Sequence, residues 1–151
     1  MGEILGLESL AVVSVTMDVQ EGVEYVRGNS RAVILTTRAN GAPAMAPVTV
    51  AVVDDRIVMS TRETAYKVGH LRRHPETSLC VFPDKWLGHW VQLNCRAEVT
   101  SLPEAMDTLV EYYRTLRGEH PDWDEYRQAM TDDRRCIVTF DVLSAGPDVA
   151  G

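Results

Sequence analysis

The sequence predicts a six-stranded antiparallel β-barrel with helices at its periphery, a mainly β, α+β fold. Three observations point to it. Short β-branched, apolar runs alternate with tight-turn dipeptides, one later run alternates apolar and polar residues strictly, and the longer helical patterns come late. Neither GxGxxG after a strand nor GxxxxGK[ST] occurs, which removes the dinucleotide-fold and P-loop readings. With 151 residues, 45% of them hydrophobic, the chain can build one domain core without disulfide or metal staples.

Taken in order, Asp18 with Glu21 forms a capping-box pattern that opens a short helix through Val23, Tyr25 and Val26, ended by Gly28, Asn29 and Ser30. RAVILTT at 31–37 reads as the first strand, and Asn40-Gly41 supplies hairpin turn chemistry. A second strand follows at 44–53, a turn at Asp54-Asp55, and a third strand at 56–60, together a meander. Thr64 is placed to cap a helix over 65–73, which His74-Pro75 stops. After a strand at 77–82 and a loop at 83–88, Val91, Leu93, Cys95, Ala97 and Val99 alternate with Trp90, Gln92, Asn94, Arg96 and Glu98, one core face and one polar face. Ser101 with Glu104 predicts a capping box for the next amphipathic helix, Asp122 with Glu125 another start, and 136–143 a last strand.

The acidic balance, net −7, argues against non-specific nucleic-acid binding, which needs a basic footprint. Cys80, Cys95 and Cys136 match no zinc or CxxC spacing and sit in apolar runs, so they read as buried reduced thiols, and no metal is expected. The apolar stretch at 4–15 lacks a basic flank and is too short to span a bilayer. No membrane association and a cytoplasmic setting are therefore expected. The domain is placed at 16–145, between an N-terminal extension at 1–15 and a tail at 146–151.

The candidate site is electrostatic. Between Arg62 and His74 the chain carries Arg62, Lys67, Arg72 and Arg73 against Glu63, a local +3 within an acidic chain. Strand-end hydroxyls Ser60 and Thr61, a helix N-terminus and Lys67 together suit a phosphate, whereas Arg72 and Arg73 read first as solvated charges at a helix C-terminus. Pro47 lies inside the second strand, where proline cannot donate to a ladder, marking an edge, a bulge or a place where a ligand nears the backbone. Trp86, His89 and Trp90 form an aromatic group suited to a planar ligand or a subunit interface. His70, His89 and His120 each read as ordinary surface histidines, and Asp54-Asp55 and Asp132-Asp133 as turn residues rather than an acid–base pair.

With this order of elements, the segments VILTTRANGAPAMAPVTV at 33–50, STRETAYKVGHLRRHPETSLCVF at 60–82 and HPDWDEYRQAMTDDRR at 120–135 carry a resemblance. From about residue 15 to 143 the sequence resembles the pyridoxamine 5′-phosphate oxidase-like split-barrel superfamily, and more narrowly its small flavin and deazaflavin (F420)-dependent oxidoreductases. The resemblance implies a split-barrel homodimer with a cofactor groove at each end of the dimer interface. It places the phosphate at Ser60, Thr61 and Lys67, the tricyclic ring along Pro47, Val48 and Thr49, and a partner contribution near Trp86 and Trp90. Many relatives carry a basic residue two positions before the helix lysine, where this chain has Ala65; the alternatives are that Arg62 reaches the same phosphate or that phosphate affinity is lower.

The expected activity is hydride transfer from reduced coenzyme F420 to an activated C=C, C=N or similar small electrophile, in which the cofactor supplies the chemistry. A proton would come from water, His89 or Tyr66. The alternatives are an FMN-dependent oxidoreductase of the same fold and a non-catalytic carrier of a flavin, deazaflavin or tetrapyrrole. True pyridoxamine phosphate oxidases end in a basic segment, and here no basic residue follows Arg135, which disfavours that activity.

Overall fold

The computed structural model describes residues 17–147 and 149–150. The predicted N-terminal extension and parts of the tail lie outside them. Helix α1 (Val19–Gly28) starts as the sequence predicts, with the Asp18 carboxylate accepting from the Glu21 N–H at 2.8 Å. Strands β1 (Arg31–Thr37) and β2 (Pro43–Thr49) form a hairpin in which Leu35 faces Met45 and Val33 faces Pro47. Strand β3 (Ala51–Val53) pairs with β4 (Arg56–Arg62) through a two-residue turn whose Asp54 and Asp55 both take positive φ, at 50° and 60°. Aspartates tolerate that left-handed turn because their short polar side chains bond locally.

Helix α2 (Tyr66–Arg73) leads to β5 (Glu76–Phe82) and β6 (His89–Thr100). Helices α3 (Met106–Arg117) and α4 (Trp123–Asp132) precede β7 (Arg135–Ala145), and β8 (Val149–Ala150) pairs with the start of β6. All pairings are antiparallel, in the order β2-β1-β5-β6-β7-β4-β3.

This order corrects the six-strand expectation to seven strands along one curled, half-barrel sheet. The run predicted as one strand at 44–53 divides at Val50: β2 pairs with β1 at one end of the sheet, and β3 with β4 at the other. One buried residue therefore carries the chain from edge to edge and curls the sheet on itself. Val50 is fully buried, and its N–H donates to the Ser30 carbonyl at 2.8 Å, so the crossing leaves that donor satisfied.

Alternation fills the interior. Val91, Leu93, Cys95 and Ala97 of β6 point inward with Ile34, Leu79, Val81, Val138 and Phe140, and α1 closes one side with Val23 and Val26. A smaller cluster, Val53, Val58, Ala105, Leu109 and Ile137, packs the opposite face of β3, β4 and β7 against α3. A bulge between Asn94 and Cys95 shifts the register against β7 and leaves Leu143 exposed.

Two predicted caps are corrected. Thr64 does not cap α2, whose N-cap is Ala65 with no side-chain bond. Ser101 does not cap α3, which begins at Met106 behind Ala105. Its hydroxyl instead donates to the Glu63 carboxylate and accepts from Arg72 at 3.1 Å. Glu63 is mostly covered, so its charge needs these partners more than the helix needs a cap.

The thiols are not equivalent. Burial pushes Cys95 up to about 12 and Cys136 to about 11, while Cys80 is half-buried and raised by burial alone. A disulfide-exchange reagent at pH 8 should modify Cys80 first and reach Cys95 and Cys136 only on unfolding; equal rates for all three would contradict this packing.

Gly22 makes a second prediction. A Cβ there would lie 2.9 Å from Ala145 Cβ and from a Leu93 methyl. Gly→Ala inside a helix ordinarily gains about 0.8–1 kcal/mol, but forcing a methyl into a filled core costs about 1–3 kcal/mol. Because the Ala145 Cβ cannot rotate away, Gly22→Ala should lower Tm in thermal denaturation.

Candidate functional site

The gap between the two sheet ends opens into a cavity of about 700 Å³. Pro47, Val48 and Thr49 of β2 form one wall and Ser60, Thr61 and Arg62 of β4 the other, with no ladder between them. Ala65 and Lys67 enter from the first turn of α2. That helix start carries no side-chain cap, so its backbone dipole faces the cavity without an internal carboxylate.

The cationic groups differ in part from those the sequence singled out. Arg72 is bound to Glu63 at 2.9 Å, and neither Arg72 nor Arg73 lines the cavity. The local +3 is thus partly neutralised by the chain itself. In place of those arginines the cavity has Arg31 and Arg135, with Arg62 and Lys67, and among the described residues no carboxylate lines it. A protein of net −7 has concentrated four cations in one concavity, and low-dielectric walls focus their field.

Two of the four are aligned by one acid. Arg62 and Arg135 face each other across β4 and β7, and the same Asp133 oxygen lies 3.2 Å from Arg62 Nε and 2.9 Å from Arg135 Nε. Hydrogen bonds from these guanidiniums hold the Asp133 carboxyl below the usual carboxylate range. Of the Asp132-Asp133 pair, expected to serve only a turn, Asp133 therefore also sets a pair of guanidiniums at the cavity rim, while Asp132 ends the helix and accepts from Gln128. Behind them, the Tyr112 hydroxyl donates to the Thr49 carbonyl at 2.8 Å, joining α3 to the exposed edge β2; burial raises its pKa.

Sequence reasoning missed Tyr112, Arg31, Arg135 and Asp133. Neighbouring Tyr113 points elsewhere and packs in a cluster with His120, Trp123 and Tyr126. Arg135 becomes visible only once β7 is known to lie beside β4.

The remaining candidates lie elsewhere. Trp86 and Trp90 line a separate apolar cavity of about 290 Å³, which shares only Phe82 with the lining of the first. His89 begins β6 with its carbonyl accepting from the Tyr25 hydroxyl, and it lines none of these cavities. Tyr66 is almost fully exposed at a neighbouring cavity of about 350 Å³. His70 is not a surface histidine: it is buried, with Nδ1 2.9 Å from Thr36 Oγ1. Burial, then Arg38 and Arg73, lower its pKa and favour the neutral ring. No helix among the described residues is long and apolar enough to cross a membrane, and none of their His, Cys, Asp and Glu side chains form a group of three or more suited to a metal ion.

Comparison with known proteins accords with this architecture. The sequence matches the pyridoxamine 5′-phosphate oxidase family over residues 19–144. A conserved hypothetical protein from Mycobacterium tuberculosis shares the fold at a TM-score of 0.71 with 21% identity, covering 87% of this chain and 84% of its own. An F420 reductase superposes at 0.63 with 13% identity, covering 86% and 98%, and a FAD-binding protein from Mesorhizobium loti at 0.62 with 13%, covering 87% and 92%. At these identities the structural likeness speaks for the fold, while the family match extends across nearly all the strands and helices described above. The chain belongs to the pyridoxamine 5′-phosphate oxidase family.

Proposed function

We propose that this protein is a coenzyme F420-dependent oxidoreductase that reduces an activated C=C, C=N or similar bond of a small electrophile. The observation that carries the reading is the acid-free cavity with its four cations and uncapped helix start, which suits a cofactor bearing several anionic groups. The similarity to an F420 reductase supports it. The cavity volume, about 700 Å³, lies within the usual range for small-molecule and cofactor sites.

In this reading Ser60 and Thr61 donate hydroxyl hydrogens to a phosphate, and Lys67 adds its ammonium where the α2 dipole already favours an anion. Arg62 and Arg135, aligned by Asp133, take a second anionic group or the far side of the same phosphate. Arg62 thereby stands in for the basic residue absent at Ala65. The edge of β2 at Pro47, Val48 and Thr49 offers backbone groups and an apolar wall to a planar ring, held in place by the Tyr112 bond. When bound, the reduced cofactor supplies the hydride; the chain orients it and limits water. Tyr66 and His89 are the candidate proton donors, neither of them inside the main cavity of a single protomer.

A second copy of the chain would complete the groove. Trp86 is 81% exposed, Leu87 59% and Leu143 57%, a large apolar investment at the surface. Pairing two protomers would cover it and bring the partner's loop toward the cavity. FMN is the second reading of the cofactor, favoured by the family match itself and by the similarity to a FAD-binding protein. A non-catalytic carrier would use the same cavity.

Equilibrium titration with F420 and FMN separates these readings. F420 should bind more tightly; tight FMN binding without F420 binding would transfer the function to the FMN reading, and ligand binding without turnover of unsaturated electrophiles would leave a carrier. Lys67→Ala should weaken the bound cofactor by about 1.5–3 kcal/mol, roughly ten- to a hundredfold. Unchanged affinity would remove Lys67 from the site. Sedimentation should give twice the 16.8 kDa protomer mass, reduced toward one protomer by Trp86→Ser; a monomeric parent protein would overturn the dimer.

A further inference from the structure

The cavity of about 350 Å³ beside α2 has a chemistry of its own. Ile34 faces Ala46 and Thr36 faces Ala44 across the β1–β2 hairpin, so these four side chains share one face of the sheet. Opposite them stand Tyr66, Lys67 and His70 of α2. The space exists because Ala44, Ala46 and Ala65 carry only methyl groups where a strand or helix start could carry larger ones. Its walls are mainly apolar, yet Arg38 and Lys67 both line it, and among the described residues no carboxylate does. The buried His70–Thr36 hydrogen bond pairs His70 Nδ1 with the Thr36 hydroxyl at the floor. An apolar chamber with cations and no internal counter-charge suits an occupant whose body is apolar and whose head is anionic.

We propose that this chamber is a second binding site, distinct from the main cavity and specific for a small organic carboxylate with an apolar or aromatic body. Arg38 pairs with the carboxylate, the alanine-lined face takes the body, and the exposed Tyr66 ring covers the mouth. Lys67 and Ala65 line both cavities, so an occupant here lies beside whatever fills the larger one. Occupancy does not depend on the cofactor reading. Only its use as the seat of the reacting electrophile, an unsaturated carboxylate, rests on that reading.

The probe is cinnamate, titrated into cofactor-free protein labelled at isoleucine δ1-methyl groups, with the Ile34 signal assigned through Ile34→Val. Cinnamate should shift that signal saturably, and neutral cinnamamide should bind about tenfold more weakly or worse, as loss of a charge-assisted bond requires. Ala44→Leu, which fills the chamber, should abolish the saturable shift, and Arg38→Gln should reduce cinnamate affinity without changing that of cinnamamide. Equal affinity for acid and amide overturns the proposal, and so does cinnamate binding that survives Ala44→Leu. The acid–amide comparison on the unsubstituted protein decides the matter even if a variant fails to fold. Cinnamate failing while F420 or FMN binds through Lys67 overturns this site alone; the reverse pattern overturns the cofactor reading alone.

Discussion

The passage of one strand from one sheet edge to the other at Val50 is the constraint on which the rest depends. A curled sheet needs its ends joined, and here the join is covalent rather than a ladder: β2 and β3 are consecutive in the chain but terminal in strand order. Without a ladder between β2 and β4, the interior stays closed by packed side chains while a slot remains outside them. The hydrophobic clusters and the main cavity are therefore built from opposite consequences of the same crossing, a filled inside and an unfilled seam.

Electrostatics then give the seam its character. The acids near it have assignments: Glu63 neutralises Arg72 with help from Ser101, Asp84 pairs with Arg31, and Asp133 sits behind Arg62 and Arg135, neither Asp84 nor Asp133 lining the cavity. Surface ion pairs of this kind contribute little stability, so their effect here is chiefly on orientation. The acids align guanidiniums while the cavity lining remains free of carboxylates. The chain's acidic balance is concentrated elsewhere, with eight acids against three basic residues over 103–132.

Much of the fold was legible because period-two alternation and turn chemistry are local. The β6 pattern, the Asp54-Asp55 turn and the Asp18 cap required only neighbouring residues. The Val50 break was not legible, since residues 44–53 are uniformly strand-like and only their partners differ. Ser60, Thr61 and Lys67 stood out through charge and hydroxyl placement within eight residues. Arg135, Asp133 and Tyr112 reach the same cavity from distant parts of the chain, and only the β4–β7 pairing and the α3 packing bring them there. Ser101 misled for a related reason: a capping pattern is local, but its hydroxyl is drawn to the mostly covered Glu63 and to Arg72.

Phe82 forms a wall shared by the main cavity and the tryptophan-lined one. A larger or smaller side chain at this one position would reshape both spaces at once. Were both spaces filled and either occupant to move Phe82, each would alter the other's affinity by the same factor, because coupling between sites is reciprocal. A single half-buried phenylalanine thus ties together the shapes of two spaces that share no other lining residue.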